Sequence, residues 1–381
     1  MAPMKIMVSA GEVSGDVHGK YLVREIKKFD PRIYFFGIGS EKLKSEGVDV
    51  KFDIAKLGTI GIFEALHNIF PLYFAFKKAL RLLKKERPDM VILIDSQGIN
   101  MPLAKQAKKL GIKTVYYIPP QEWLWGTEHN AKVVAKTIDL ILAIFKKESD
   151  AYKAFGGNVS FFGHPLLDIV KPSLSRAEVL KRFLGDENGP LIALCPGSRT
   201  QEIKGLFPIF LKAAELIKRK LPDVRFLIPA ASNETLNMLS TVVKDFSPRA
   251  IVGHSYDIIA ASDLALCASG TINIEASILG VPNIMIYKLS PLSYLFGKYI
   301  LKIDKKLPFF SMPNILLEES VIPELFMDKA NPETIAQEAI SILVDPARQQ
   351  KMKASFENLK TELGSCGSIA KYAQAVINFA S

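Results

Sequence analysis

Short apolar runs that read as buried strands alternate with amphipathic helical stretches along almost the whole chain, and this alternation constrains the fold most. Lys5–Ser9, Ile33–Ile38, Met90–Asp95, Thr114–Ile118, Leu140–Ile144 and Ser160–Phe162 make one series of expected strands. Leu191–Leu194, Arg225–Ile228, Ala250–Val252, Leu264–Ala268 and Asn283–Tyr287 make a second. Runs of this kind suit strands covered on both faces, as in parallel sheets. Helical patterns such as His18–Lys28 and Phe74–Lys85 lie between them, so the chain reads as α/β with doubly wound parallel sheets. Pro172, Ser173 and the polar stretch Gly185–Gly189 interrupt the pattern. We therefore expect a first domain over residues 1–170, a second over 186–355 and closing helices over 356–381. Those helices have two places to pack, the first domain or the partner subunit of a homodimer.

A chain of 381 residues is long enough for two such cores. With 49% hydrophobic and 23% charged residues it is not a disordered protein. Cys195, Cys267 and Cys366 are far apart and form no CxxC pair, which fits reduced thiols in the cytoplasm. A strand-like run begins at Lys5, leaving no expected signal peptide, and apolar runs such as Ile69–Phe76 fall short of the ~20 residues that span a bilayer. The formal charge of +10 suits an anionic partner: nucleic acid, a phosphorylated substrate or an acidic lipid surface. No nucleic-acid module or clustered basic and aromatic residues appear, so nucleic acid is not expected. His18, His67, His129, His164 and His254 lack metal-ligand spacing, so no metal is expected either. His164 reads as a hinge or core histidine. Neither a Ser–His–Asp order nor a G-x-S-x-G elbow argues for a hydrolase.

Ligands of open α/β sheets bind beyond the carboxyl ends of the strands, which singles out the loops that follow them. The first is Ser9-Ala10-Gly11-Glu12-Val13-Ser14-Gly15-Asp16-Val17-His18-Gly19. Its glycines allow close approach of a ligand, while Glu12 and Asp16 would repel a pyrophosphate, so a sugar or hydroxyl is the better guest. The alternative is a strand–helix turn capped by Ser14 or Asp16. Asp95 ends an apolar strand and is placed to take a proton from an attacking hydroxyl, or else to cap the next helix. In the second half, Pro196-Gly197-Ser198-Arg199 puts a guanidinium after a tight turn, with Glu202 three residues on, a pattern that suits a diphosphate or a surface ion pair. Ser269-Gly270-Thr271 ends another strand and opens an apolar helix that carries Glu275. That arrangement fits a nucleotide-sugar, with phosphate at the turn and ribose at Glu275.

These segments, together with Gly61-Ile62-Phe63-Glu64, Pro120–Trp125, Phe162–Leu166, Pro196–Glu202, Tyr287–Pro291 and Pro313–Leu316, resemble in order the motifs of lipid-A-disaccharide synthases. The resemblance covers nearly the whole chain and implies the GT-B architecture, two Rossmann-like domains facing a cleft. It implies UDP-2,3-diacylglucosamine as donor, lipid X (2,3-diacylglucosamine 1-phosphate) as acceptor, and no cofactor. It makes Asp95 the essential strand-end aspartate, puts Glu12, Ser14, Gly15 and Asp16 in the acceptor loop, and places Arg199, Ser269, Gly270, Thr271, Glu275 and Asn314 around UDP. Two departures stand out. A second Asp usual three residues after the first is here Gly98, so Asp95 acts alone or with Glu12 or His18. Lys146-Lys147 replace a common Pro-Phe pair.

Acylated substrates imply work at the anionic inner face of the cytoplasmic membrane. The aromatic-rich stretch Ile62–Phe76, followed by Lys77, Lys78, Arg81, Lys84 and Lys85, reads as an interfacial segment or as a core helix with a solvated basic end. The interfacial reading exposes Phe63, Leu66, Ile69, Leu72 and Tyr73, with Leu206 and Phe207 as a second contact.

Overall fold

The computed structural model describes residues 3–53, 69–124, 126–185, 189–197, 200–240, 248–288 and 308–380, with backbone alone for 69–72 and 200. The chain divides into two compact units, residues 1–168 with 363–381, and residues 169–362. Each is built on one parallel sheet.

In the first unit the strands are β1 (Lys5–Ala10), β2 (Tyr34–Ile38), β3 (Asp49–Phe52), β4 (Met90–Ile94), β5 (Lys113–Tyr117), β6 (Leu140–Ala143) and β7 (Val159–Phe161), in the order β3-β2-β1-β4-β5-β6-β7. The strand order reverses between β1 and β4, where Ala10 pairs with Ile94, so the ligand crevice of this sheet opens past those two residues. All five residues of β4 are buried, as its unbroken apolar run requires. One face carries Met7, Phe36, Val91, Leu93 and Tyr116 against Ala75, Ala79 and Leu83 of the helix Ile69–Glu86. Each buried large side chain contributes about 1.5–3 kcal/mol. Among its neighbours along the other side is the helix Val13–Phe29, which buries Leu22, Val23 and Ile26 and packs against the chain's last helix, Ser368–Ala380.

The second unit contains β8 (Leu191–Cys195), β9 (Arg225–Ala230), β10 (Arg249–Val252), β11 (Leu264–Ala268), β12 (Asn283–Tyr287) and β13 (Glu324–Phe326), ordered β10-β9-β8-β11-β12-β13. Its reversal lies between β8 and β11. A capping box at Ser175 and Glu178 starts the helix Arg176–Leu184, and Gly185 ends it in the left-handed region at φ 70°.

Three expectations need correction. β3 and β13 add edge strands that the sequence reading does not contain. Leu206 and Phe207 are 3% and 0% exposed and belong to the second unit's core, not to a surface patch. They sit on the helix Thr200–Lys220 in the stripe Ile203, Leu206, Phe207, Phe210, Ala214 and Ile217, whose helical period turns all of them inward. Finally, the helix Pro346–Leu363 runs unbroken through the expected boundary at 355/356, and Met352 and Phe356 are buried in the second unit. Only the following segment returns to the first unit. There Asp168 accepts from Gly367 N (2.5 Å), Ser368 Oγ (3.1 Å) and Ile369 N (3.0 Å), capping the last helix.

Candidate functional site

At the reversal of the first sheet, Asp95 and Ser96 both adopt left-handed backbone angles, φ 53° and 47°. Such angles cost about 1–3 kcal/mol each in a non-glycine residue and persist only where neighbours enforce them. Asn100 does much of that enforcing. Its Nδ2 donates to Ser9 O (3.2 Å), Ile94 O (3.0 Å) and Asp95 O (2.7 Å), while its Oδ1 accepts from Ser9 Oγ at 2.6 Å. Tyr116 OH adds a bond of 2.7 Å to Asp95 O. The Asp95 carboxylate, half-buried, accepts from Ser96 N at 2.9 Å and from Ser14 Oγ at 3.2 Å. Gly15 lies beside it: a Cβ there would be 3.6 Å from Asp95 Cβ, an ordinary contact. Asp95, Ser14 and Gly15 are therefore brought together, and Glu12 stands at the N-cap of the same helix.

Asp16 is a correction. It is fully buried and accepts from Ser40 N (2.7 Å), Ser40 Oγ and Lys42 N (3.1 Å), so its oxygens hold the neighbouring loop instead of facing a ligand. His18 lies two residues on, 6% exposed, edge-on to Tyr117 with ring centroids 6.3 Å apart. Burial pulls its pKa down to about 4, so the ring is neutral near pH 7, and its Nδ1 has no hydrogen-bond partner. Gly98 is exposed with open space around its Cα. Sequence reasoning missed Asn100, Tyr116 and two acids at this edge, Glu122 and Glu148. Glu122 accepts from Gln97 Nε2 at 2.6 Å and Thr127 N at 3.2 Å.

The second sheet's reversal gathers the turns after β8 and β11. Gly197 has φ 100°, and a Cβ there would meet the Glu202 carboxylate at 2.2 Å, so Glu202 folds back over the turn that leads to Arg199. Ser198 and Arg199 lie outside the described residues. Ser269 donates its N–H to Ile286 O at 3.2 Å, and Gly270 (φ 144°) and Thr271 are exposed. Beneath them Asn273 Nδ2 fastens the turn to Ala268 O at 2.9 Å. Glu275 is reached by Tyr256 OH at 3.5 Å, and burial pushes its pKa up to about 7. Asn314 is another correction. Its amide donates to Ile322 O (2.9 Å) and Glu324 Oε1 (2.8 Å) and accepts from Val321 N (2.8 Å) and Ile322 N (2.9 Å), which leaves no group for UDP. It fixes the short helix Met312–Leu317 to β13.

Of the expected membrane patch, Phe63 and Leu66 lie outside the described residues, as do the side chains of Ile69 and Leu72. Tyr73 and Phe74 are 51% and 62% exposed, and Lys77, Lys78, Arg81, Lys84 and Lys85 are exposed along the same helix. No helix among the described residues is long and apolar enough to cross a membrane.

The family model for lipid-A-disaccharide synthetase matches residues 6–377. The chain belongs to that family. A lipid-A-disaccharide synthase of Syntrophus aciditrophicus is 39% identical over 97% of this chain and 96% of its own, and one of Geobacter metallireducens is 37% identical over 99% and 97%. Among solved structures, the S. aureus MnaA–UDP co-structure superposes with a TM-score of 0.67 at 12% identity, covering 99% of this chain and 96% of that one. CalG4, the calicheamicin glycosyltransferase, gives 0.58 at 14% identity, covering 100% and 98%. Those two likenesses bear on the fold, which is GT-B. Membership of the lipid-A-disaccharide synthase family makes the chain a glycosyltransferase of lipid A biosynthesis.

Proposed function

We propose that the chain condenses UDP-2,3-diacylglucosamine with 2,3-diacylglucosamine 1-phosphate, with inversion, to give the β-1,6-linked disaccharide 1-phosphate and UDP. The observation that carries this reading is Asp95, a carboxylate oriented by Ser14 on a strained backbone at the reversal of the first sheet. Asp95 takes the proton of the acceptor 6-hydroxyl. The oxygen attacks the anomeric carbon of the donor, whose bond to the UDP phosphate breaks with its electron pair leaving on UDP. Positioned bases of this kind contribute roughly 10²–10⁴-fold. In the second unit Arg199 and the Ser269–Thr271 turn receive the diphosphate, and Glu275 accepts from the ribose. The UDP in the S. aureus MnaA co-structure supports a uridine nucleotide on this fold.

Both sugars carry acyl chains, so the enzyme works at the anionic inner face of the cytoplasmic membrane. Tyr73 and Phe74 enter the interface there, joined by Phe63, Leu66, Ile69 and Leu72. Each cation behind them adds about 1 kcal/mol near anionic lipid. The test is to give the purified protein acylated or deacylated UDP-sugar with lipid X and follow UDP release and disaccharide mass. Equal turnover of the deacylated donor, or epimerisation of UDP-N-acetylglucosamine without transfer, would remove this reading.

A further inference from the structure

Eight buried side-chain polar atoms among the described residues have no hydrogen-bond partner, and six lie at the carboxyl edge of the first sheet. They are His18 Nδ1, Ser96 Oγ, Tyr117 OH, Trp123 Nε1, Glu148 Oε1 and Ser149 Oγ. Polar atoms left open in one place mark a site for ordered water or for the polar groups of a guest. Only Glu148 among the six is an acid, and nothing in the proposed reaction uses it.

Glu148 is fully buried in the first turn of the helix Lys146–Ala154, which follows β6. Its Oε2 accepts from Ile144 N at 2.9 Å, just beyond the last residue of β6. Asp95 stands just beyond the last residue of β4, two strands away, and strand spacing puts about 10 Å between those positions. A hexose ring with its hydroxyls bridges such a gap. We propose that Glu148 is a second carboxyl of the acceptor site, with Oε2 anchored on the backbone and Oε1 reserved for a hydroxyl of the acceptor sugar. This supplies, from the helix after β6, a second carboxyl where Gly98 provides none. The inference rests on the acceptor assignment made above.

Burial pushes the Glu148 carboxyl up to about 8; the amides of Ile144 and Phe145 pull it down, and the charge of Asp95 adds to the rise. Tyr152 of the same helix and Tyr372 of the last helix also interact with it, while Lys146 of the first turn is paired with Asp150 at 3.6 Å and Lys147 precedes Glu148 directly. Near pH 7 Glu148 is therefore a neutral acid that donates to the sugar while Asp95 serves as base. Above about pH 8 it ionises, loses its donor and repels the acceptor phosphate.

The experiment measures kcat and the acceptor KM from pH 6.5 to 9.5 for wild type, Glu148→Gln and Glu148→Ala, with thermal melting to confirm folding. In the wild type the acceptor KM rises about tenfold per pH unit above the ionisation. In Glu148→Gln, which keeps a neutral donor, that rise disappears although KM at pH 7 increases by about two- to fivefold. Glu148→Ala raises the acceptor KM about tenfold or more, with the donor KM unaltered. An alkaline rise that persists in Glu148→Gln, or an acceptor KM unmoved in a folded Glu148→Ala, would reduce Glu148 to a backbone cap and overturn the proposal. Should Glu148→Ala fail to fold, the pH profile of Glu148→Gln decides alone. Failure of the wild type to form disaccharide refutes the reaction itself, so the two failures are distinguishable.

Discussion

Replacing His18 by Leu alters how the stability of the first unit depends on pH. Burial lowers the folded-state pKa of His18 to about 4 from an ordinary 6.5. Between those values the unfolded chain binds the proton and the folded one does not. The stability associated with neutral His18 is therefore fully present above about pH 6.5 and is lost as the pH falls toward 4. Integrating the two titrations from pH 7 to pH 5 gives a loss of about 2 kcal/mol. His164, also held below its usual range by burial, adds a loss of the same sign, whereas the raised carboxyl of Glu148 opposes both over this range. Those two groups remain in the His18→Leu variant, and because burial outweighs the charge of His18 in lowering His164, the difference in pH dependence between the two proteins comes mainly from residue 18. Both tryptophans, Trp123 and Trp125, belong to the first unit, and their fluorescence during urea unfolding reports that unit. The wild type should lose about 2 kcal/mol more than the variant between pH 7 and pH 5. Equal losses in the two proteins, to within about 0.5 kcal/mol, would mean that His18 takes up its proton in the folded state and that its burial is misread.

Asp95→Asn should lower kcat by about 10²–10⁴-fold while UDP affinity, measured by calorimetry, changes less than about twofold. Arg199→Ala and Glu275→Ala should each weaken UDP binding in the same titration by about tenfold, as expected for the loss of a charge-assisted bond. Tyr73→Ser with Phe74→Ser should reduce sedimentation with anionic vesicles and leave the melting temperature within about 2 °C, because both side chains are already in solvent.

What could be read from sequence followed from how local each cause is. β1, β4, β8 and β11 are apolar runs whose loops carry Ser14, Asp95, Gly197 and Ser269, so those four loops were legible in the sequence, while the strand order that brings them together in pairs came only from the structure. β3 and β13 were not, because Asp49–Phe52 and Glu324–Phe326 are short edge strands with charged residues, lacking an unbroken apolar run. Asp16 and Asn314 carry groups that suit a ligand, and only tertiary structure shows those groups bonded to Ser40 and to Ile322 instead. Leu206 and Phe207 were misread because two adjacent apolar residues beside a lysine look exposed until the helical period is extended to Ile217. Glu148 follows two lysines at the start of a polar helix, and nothing in those neighbours announces a buried acid. The groups that interact with it are distant in sequence: Asp95 across the sheet and Tyr372 from the helix Ser368–Ala380.

That last helix has a consequence for biosynthesis. Because residues 363–381 belong with residues 1–168, the polypeptide crosses between its two units twice, and the second unit is an insertion in the first. Residues 1–168 are made before the second unit, but residues 363–381 reach them only after it has been made. Until Tyr372 emerges, the carbonyls of Ala143 and Gly163 wait for its hydroxyl, and the flank of the helix Val13–Phe29 stays uncovered. The insertion, residues 169–362, can fold before the unit that precedes it is complete, reversing the usual N-terminal-first order. Removing residues 363–381 would therefore do its damage within residues 1–168, at Ala143, Gly163 and the helix Val13–Phe29, and leave residues 169–362 standing.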